Sequence, residues 1–200
     1  LAPLTAAQVK AHMASGAVVL DVRPIREVAR GHIPGAVSIA LRPQFATWLG
    51  WTLTPETPLI IVRNPDQDPA DIIWPALNIG YTTFLGELDG GLDAWMAAGE
   101  TLATTPLSAP GDVRGRVLDV RQDSEYACGH LPQAVHIELG NLASHAGDFS
   151  SGPVTVMCGH GERAMTAATI LQRNGNRDVS VLDGGAGDWA KATGGKLATS

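Results

Sequence analysis

Short apolar runs alternate along this chain with stretches in which apolar residues recur at helical spacing. The apolar runs of the first half predict strands at Val18–Arg23, Val37–Leu41, Pro58–Val62 and Thr82–Leu85. The stretches around them predict helices at Ala6–Met13, Phe45–Trp51, Pro69–Ile79 and Gly91–Gly99. Because strands and helices alternate, we expect an α/β fold in which helices cover a parallel sheet.

The same order of motifs occurs a second time in the chain. Asp21-Val-Arg23 returns as Asp119-Val-Arg121, and Leu88-Asp-Gly-Gly91 returns as Leu182-Asp-Gly-Gly185. A set of motifs that recurs in a fixed order is typical of a duplicated domain. The sequence therefore predicts two tandem domains of similar structure.

The stretch between the two copies predicts where one domain ends and the next begins. Residues 101–111 are rich in Thr, Pro, Ser and Ala, and we expect them to form a linker. The predicted domains are then 1–100 and 112–200, each of an ordinary size for a domain. The second copy runs from the linker almost directly into its first strand, so it is predicted to lack the opening helix of the first.

Composition and charge narrow the classes of partner. The 14 basic and 20 acidic residues give a net charge of −6 without any basic run, so nucleic acid is not an expected partner. No apolar run approaches the roughly 18 residues of a membrane span, and no signal-peptide pattern is present. We therefore expect no membrane contact and a cytoplasmic location. The chain begins with Leu1 rather than Met, as would a processed chain or a piece of a longer protein.

The strongest candidate for chemistry is a cysteine at the end of an apolar run. Val154–Met157 predicts a strand, Cys158 follows it, and the Gly-containing loop 158–163 leads into good helix formers. Such a loop directs backbone N–H groups and the positive end of a helix dipole at one point. A thiol held there is favoured as the thiolate, so this cysteine is the predicted nucleophile. The other cysteine, Cys128, corresponds to Arg30 of the first copy and is predicted to be structural.

The loop after the nucleophile supplies the predicted substrate-binding residues. Gly159 and Gly161 let the backbone turn its N–H groups inward as an anion-binding nest. Arg163 either binds an anionic donor or forms a salt bridge with Glu162 or another nearby carboxylate. His160 either acts as an acid or hydrogen-bond donor, or faces solvent and shapes access to the loop. The glutamate adds negative charge, which disfavours highly charged anions.

The first copy has no cysteine at this place and is predicted to be catalytically inactive. Arg63 takes the position of the nucleophile, and Pro65 removes one backbone donor. Asp66 and Asp68 put negative charge where an anion would bind. This domain would then serve as a scaffold, as a wall of the active-site cleft or as a docking surface.

Motifs that occur in both copies are expected to serve the fold. Asp119 and Arg121 lie at the end of a predicted strand, where Glu125 is a plausible partner. His32 and His130 lie in Gly-His-Ile/Leu-Pro turns, and neither has metal-ligand spacing with another His or Cys. We therefore predict no metal site and no other cofactor.

Together these motifs resemble those of the tandem rhodaneses over nearly the whole chain. The resemblance rests on Asp21–Ala36 and its copy Asp119–Ala134, on the unit of strand, Cys158, loop and helix, and on both Leu-Asp-Gly-Gly…Trp endings. It implies two small α/β domains, each with a parallel sheet flanked by helices. It also implies a sulfurtransferase, in which the cysteine carries sulfane sulfur as a persulfide from a donor to a thiol or cyanide acceptor.

The length and sequence of the loop bear on the substrate. Four residues separate Cys158 from Arg163, whereas related cell-cycle phosphatases have a loop one residue longer. The shorter loop resembles that of sulfurtransferases, and its pattern of Cys, two variable residues, Gly, one variable residue and Arg resembles persulfide-handling rhodaneses. It departs from the loop types linked with thiosulfate and with mercaptopyruvate. The expected donor is thiosulfate or a low-molecular-weight persulfide, and the choice stays open.

A second interpretation is a non-catalytic binding or sulfur-relay module. Tandem rhodaneses with one Cys-containing loop also resemble the C-terminal region of fusions with a metallo-β-lactamase-like persulfide dioxygenase. In that case the chain would pass sulfur to or from that fused domain, whose iron ligands would lie outside these residues. A phosphatase is a third interpretation.

Overall fold

The structure, a computed structural model, describes residues 1–199 and contains two separate parallel sheets. The chain divides into unit 1, Leu1–Thr104, and unit 2, which begins at Thr105. The α/β architecture with two tandem domains, predicted from the repeat, is confirmed. Among the described residues, no helix is long and apolar enough to cross a membrane.

Unit 1 contains a five-stranded sheet and five helices. Its strands are β1 (Pro3–Leu4), β2 (Val18–Asp21), β3 (Val37–Ser38), β4 (Leu59–Val62) and β5 (Phe84–Leu88). Its helices are α1 (Ala6–Ala14), α2 (Ile25–Arg30), α3 (Phe45–Thr52), α4 (Pro69–Asn78) and α5 (Gly91–Ala97). All paired strands are parallel, and their order across the sheet is β1-β5-β4-β2-β3.

Unit 2 repeats this sheet with strands in the same relative order. Its strands are β6 (Leu107–Ser108), β7 (Arg116–Asp119), β8 (Val135–His136), β9 (Val154–Met157) and β10 (Val179–Leu182). Its helices are α6 (Asp123–Ala127), α7 (Leu142–His145), α8 (Glu162–Arg173) and α9 (Ala186–Thr193), with 3₁₀ turns at Leu139–Asn141 and Ala146–Phe149. The order is β6-β10-β9-β7-β8, and no helix of the described chain lies between β6 and β7, as the sequence predicts.

The segment expected to be a linker is built into the two units. Ala103 forms a bridge with His32 in unit 1, and β6 pairs with β10 at the edge of the second sheet. Residues 101–111 are therefore not a free connection, and the change from unit 1 to unit 2 falls between Thr104 and Thr105. A strand of two residues is too short to show an alternating pattern, so the apolar pattern does not reveal it.

The middle strand of each sheet carries the loop of interest at its C-terminal end. Strands β4 and β9 are buried along their whole length, which fits strands covered on both faces. Arg63 follows β4, and Cys158 follows β9. Because ligands of open α/β sheets bind beyond the carboxyl ends of the strands, both residues lie where such a fold places a functional site.

The Asp-Val-Arg motif fixes the backbone near the end of β7. Arg121 Nε donates to Asp119 Oδ1 at 2.9 Å, and its Nη2 donates to Asp119 Oδ2 at 2.6 Å and to the Gly129 carbonyl at 2.9 Å. The same motif of unit 1 makes the same contacts. The direct partner of Arg121 is therefore Asp119, and the charge of Glu125 acts on it more weakly, adding to the rise in the pKa of Arg121. The motif serves the fold in both units.

Candidate active site

Cys158 lies at the start of the loop, between the end of β9 and the N-terminus of α8. Only 2% of its surface is exposed. The backbone N–H of Gly161 donates to its Sγ at 3.1 Å, and the next residue, Glu162, begins the helix. The first N–H groups of a helix have no partner within the helix, and they carry its positive partial charge. The sulfur is thus held at a place suited to a thiolate.

The two glycines of the loop have different roles. Gly161 is buried and has a left-handed φ of 100°, a conformation that strains any residue with a side chain. This turn brings its N–H to the sulfur of Cys158. Gly159 is not in the left-handed region, and a side chain there would make an ordinary contact of 3.7 Å with Arg163 Nη2. Within residues 1–199 the backbone donor that reaches the sulfur is the one of Gly161, rather than the row of donors that we predicted.

Arg163 forms a two-point salt bridge with Glu125 of helix α6. Its Nη1 donates to Oε2 at 2.5 Å and its Nη2 donates to Oε1 at 2.8 Å. These hydrogen bonds lower the pKa of Glu125, although its partial burial opposes the shift. Of the two roles predicted for the arginine, the structure shows pairing with a neighbouring carboxylate, and the partner is Glu125 rather than Glu162.

The guanidinium of Arg163 also interacts electrostatically with Cys158. Its pKa is raised, chiefly by the hydrogen bonds to Glu125 and further by the negative charge of Cys158, while burial acts in the opposite direction. Only 14% of its side chain is exposed. The arginine therefore ties the loop to α6 and places a positive charge, already compensated by a carboxylate, beside the sulfur.

The two remaining loop side chains, His160 and Glu162, differ in exposure. His160 is exposed, which agrees with the solvent-facing role among the two that we predicted. Glu162 is half-buried as the first residue of α8, and its carbonyl accepts a hydrogen bond from the Thr166 hydroxyl at 3.2 Å. It is the single acidic residue of the sequence between Cys158 and Arg163.

Gly185 supports the loop, although the sequence did not assign it to the site. A side-chain carbon there would lie 2.7 Å from the carbonyl oxygen of Gly159, which is closer than such atoms approach. The N–H of Gly185 donates to Asp188 Oδ2 at 2.8 Å as α9 begins. The repeated Leu-Asp-Gly-Gly motif was the available signal. A side-chain carbon at the matching glycine of unit 1, Gly91, would meet no atom within 4 Å. The repeat therefore indicates a role shared by both units and does not indicate the contact with the loop.

The corresponding loop of unit 1 is filled by its own side chains. Arg63 donates from Nε and Nη2 to the Glu87 carboxylate at 2.5 and 3.0 Å. Its Nη1 donates to the carbonyls of Asn64 and Gln67 at 3.2 and 2.9 Å. The Gln67 side chain accepts the Asn64 N–H at 2.8 Å and donates to the Val22 carbonyl at 2.9 Å. This loop directs carbonyl oxygens at the guanidinium of its own Arg63, and the inactivity of this copy stays a prediction.

The second cysteine and the two histidines of the Gly-His turns lie outside the loop. Cys128 is exposed at the C-terminal end of α6, so it is not the core thiol that a structural role implies. His32 and His130 each place Nδ1 3.0 Å from the carbonyl of the residue four positions earlier. Each also bridges a later segment of its own unit. The two histidines therefore have the same structural role in both copies.

Comparison with known proteins connects this site to a family. The family model described as Rhodanese-like domain matches residues 5–98 and again residues 105–192. The chain is 40% identical over 75 residues to the thiosulfate sulfurtransferase GlpE of Pseudomonas fluorescens (strain SBW25), a stretch that covers 36% of this chain and 68% of that protein. It is 32% identical over 78 residues to the putative sulfur carrier protein YrkF of Bacillus subtilis (strain 168), covering 38% of this chain and 42% of that protein.

Solved structures show the same kind of similarity at a lower level. A thiosulfate sulfurtransferase from Pseudomonas aeruginosa aligns with a TM-score of 0.44 and 19% identity, over 100% of this chain and 44% of that one. Protein hp1203 from Helicobacter pylori aligns with a TM-score of 0.39 and 28% identity, over 44% of this chain and 84% of that one. Because the two matches of the family model cover most of the chain, this protein belongs to the Rhodanese-like domain family and carries two copies of that domain.

Proposed function

We propose that this protein is a sulfurtransferase that carries sulfane sulfur on Cys158 of unit 2. The observation that supports this best is the position of the sulfur. It follows the central strand β9, it is buried, and it accepts the Gly161 N–H directly before the start of α8. A thiol in that place gains from nearby N–H dipoles when it becomes negative, which is what a nucleophile requires.

The proposed reaction has two steps. The Cys158 thiolate attacks the outer sulfur of the donor, the donor's S–S bond breaks, and its electron pair leaves with sulfite from thiosulfate or with a thiolate from a low-molecular-weight persulfide. The cysteine then carries the transferred sulfur as a persulfide. In the second step an acceptor thiolate or cyanide attacks the outer sulfur, giving a new persulfide or thiocyanate and restoring the thiolate. The Gly161 N–H and the positive end of helix α8 stabilise the negative sulfur in both steps.

The names of the relatives agree with this chemistry. One is a thiosulfate sulfurtransferase, and the other is a putative sulfur carrier protein. Unit 1, in which Arg63 replaces the nucleophile, would contribute no sulfur transfer of its own. The proposed partners are therefore small sulfur donors and thiol or cyanide acceptors.

A second candidate is a sulfur-relay module that acts with another protein domain. The similarity to a putative sulfur carrier protein favours it. A metallo-β-lactamase-like persulfide dioxygenase domain is the proposed partner in that case. A relay would accept sulfur on Cys158 but turn over slowly with free cyanide or small thiols, whereas an independent enzyme would turn over rapidly with them.

The mass of the intact protein tests sulfur loading directly. We expect a gain of one sulfur atom after exposure to thiosulfate or glutathione persulfide, and we expect cyanide to remove it. Cys158→Ala should show no such gain, because the attacking thiolate is absent. Cys128→Ala is the matched control and should load as the wild type does. A wild-type protein that gains no labile sulfur from either donor would contradict the proposal.

A further inference from the structure

We propose that Glu125 determines donor specificity, because it occupies the guanidinium of Arg163 and so favours persulfides over thiosulfate. This inference rests on the proposed sulfurtransferase function. Glu125 belongs to helix α6, outside the loop, and acts on the donor only through the arginine. We therefore describe it as a positioning residue that sets which donor the site accepts.

Both terminal nitrogens of the Arg163 guanidinium are occupied. A guanidinium binds a sulfonate or a carboxylate best through two parallel N–H groups. Both terminal nitrogens of Arg163 already donate to the two oxygens of Glu125, at 2.5 and 2.8 Å. A donor with a sulfonate end, such as thiosulfate, could bind this edge of the guanidinium only by displacing the Glu125 carboxylate. Any contact through the Nε edge would be to an arginine whose charge is already compensated.

The positive side chains near the thiol are paired with carboxylates. Arg121 is engaged by Asp119, and Arg163 is engaged by Glu125, so these four side chains together carry no net charge. Glu162, the first residue of α8, is a further acidic residue of the loop. A dianion brought to Cys158 therefore meets no uncompensated positive side chain among these residues. The sulfur end of a persulfide carries at most a single negative charge, so it needs less compensation.

In unit 1 the glutamate that corresponds to Glu125 also contacts the loop, although no arginine stands at the end of that loop. Glu27, which corresponds to Glu125, accepts a hydrogen bond from Asn64 Nδ2 at 2.9 Å. In both copies the glutamate from this short helix therefore holds the loop. In unit 2 alone it also neutralises a cation of the loop, which adds an electrostatic effect to the structural one. Glu27 thus offers a matched control for the holding role.

The test compares two donors in two variants. We would measure kcat/KM with thiosulfate and with glutathione persulfide, at one acceptor concentration, for the wild type, Glu125→Gln and Glu27→Gln. Glutamine keeps the shape and removes the charge, so Arg163 gains an uncompensated charge beside the sulfur. We expect the ratio of thiosulfate to persulfide activity to rise roughly tenfold in Glu125→Gln, mainly through a lower KM for thiosulfate. Glu27→Gln should keep the wild-type ratio.

A double variant shows whether Glu125 acts through the arginine. In Glu125→Gln/Arg163→Gln both charges are gone and the pair stays neutral, so the donor ratio should return to within about twofold of the wild type. The double variant also serves if Glu125→Gln alone does not fold. A tenfold loss of thiosulfate activity in the double variant would show that the arginine binds the donor, and would overturn the inference.

Two further outcomes separate this inference from the proposed function. If the wild type loads Cys158 but Glu125→Gln changes both donors equally, Glu125 only holds the loop, and the specificity role is wrong while the sulfurtransferase remains. If the wild type takes sulfur from neither donor, the proposed function is wrong and the specificity role is wrong with it.

Discussion

The two loops that follow the central strands β4 and β9 occupy the same place in the fold, but one directs a backbone N–H and the other directs backbone carbonyls at its first residue. After β9, the Gly161 N–H points at the sulfur of Cys158. After β4, the carbonyls of Asn64 and Gln67 point at the guanidinium of Arg63. The sheet order is the same in both units, so the fold fixes where a site lies. The residues of the loop decide whether that place accommodates an anion or a cation.

The change in unit 1 involves more than one position. Arg63 is paired with Glu87 on β5, and the matching residue on β10 is Val181, which has no charge to offer. The Gln67 side chain accepts the Asn64 N–H of the loop and donates to the Val22 carbonyl that follows β2. The cation, its carboxylate and the glutamine therefore form one arrangement. Restoring a cysteine alone would leave the rest of that arrangement in place.

The largest effect that we expect is a complete loss of sulfur loading when the cysteine is moved from unit 2 to unit 1. In Cys158→Ser/Arg63→Cys, the new thiol would lie beside Glu87 and the inward carbonyls, which disfavour a thiolate. We expect no labile sulfur on this double variant by mass spectrometry after treatment with either donor. A labile sulfur on residue 63 would mean that the frame alone suffices, and that the comparison of the two loops is wrong.

A smaller effect is expected from the glycine that turns the active loop. Gly161→Ala forces a side chain into a left-handed conformation, which costs about 1–2 kcal/mol, and the Gly161 N–H would move away from the sulfur. We expect the single-turnover rate of sulfur loading to fall roughly tenfold. Gly159→Ala is the control within the same loop and should lose clearly less, because its backbone is not left-handed. Equal losses would show that loop geometry at Gly161 is not the important factor.

The smallest effect concerns stability in acid. The hydrogen bonds from Arg163 lower the pKa of Glu125 below its ordinary value. Its carboxylate therefore stabilises the fold above an unfolded-state pKa of about 4.3, and this stability is lost as the pH falls through the folded-state value. Urea unfolding between neutral and acidic pH should show a shallower loss for Glu125→Gln than for the wild type. Arg163→Gln should flatten the same part of the curve, and two unchanged slopes would contradict the assignment.

The sequence predicts most of the fold because its signals are local and repeated. Helix α1 begins at the predicted place, since Thr5 and Gln8 form a capping box within a single turn. The short strands β1 and β6 were not predicted, because two residues show no alternation and their pairing depends on distant strands. The repeated Asp-Val-Arg and Leu-Asp-Gly-Gly motifs then identify the parts of the fold that both units share.

The candidate site was predicted in part, for a related reason. Cys158 and Gly161 belong to one short stretch, so their relation could be inferred from sequence order. Glu125 is 38 positions from Arg163, and its nearer neighbour Arg121 was the more obvious partner. Gly185 meets the loop only through the packing of α9. Contacts between separate elements depend on tertiary structure, which one sequence does not contain.

The burial of Cys158 has a consequence for which molecules can reach it. With 2% of the residue exposed, only a small part of its surface is accessible to a reactant. The terminal sulfur of thiosulfate or of a persulfide is a single protruding atom, whereas the reactive carbon of a bulky alkylating agent is surrounded by substituents. We therefore expect the size of the group around the reacting atom to limit access to Cys158 before the charge of the reactant has an effect. The same shelter would lengthen the lifetime of the loaded sulfur against oxidants in the surrounding solution.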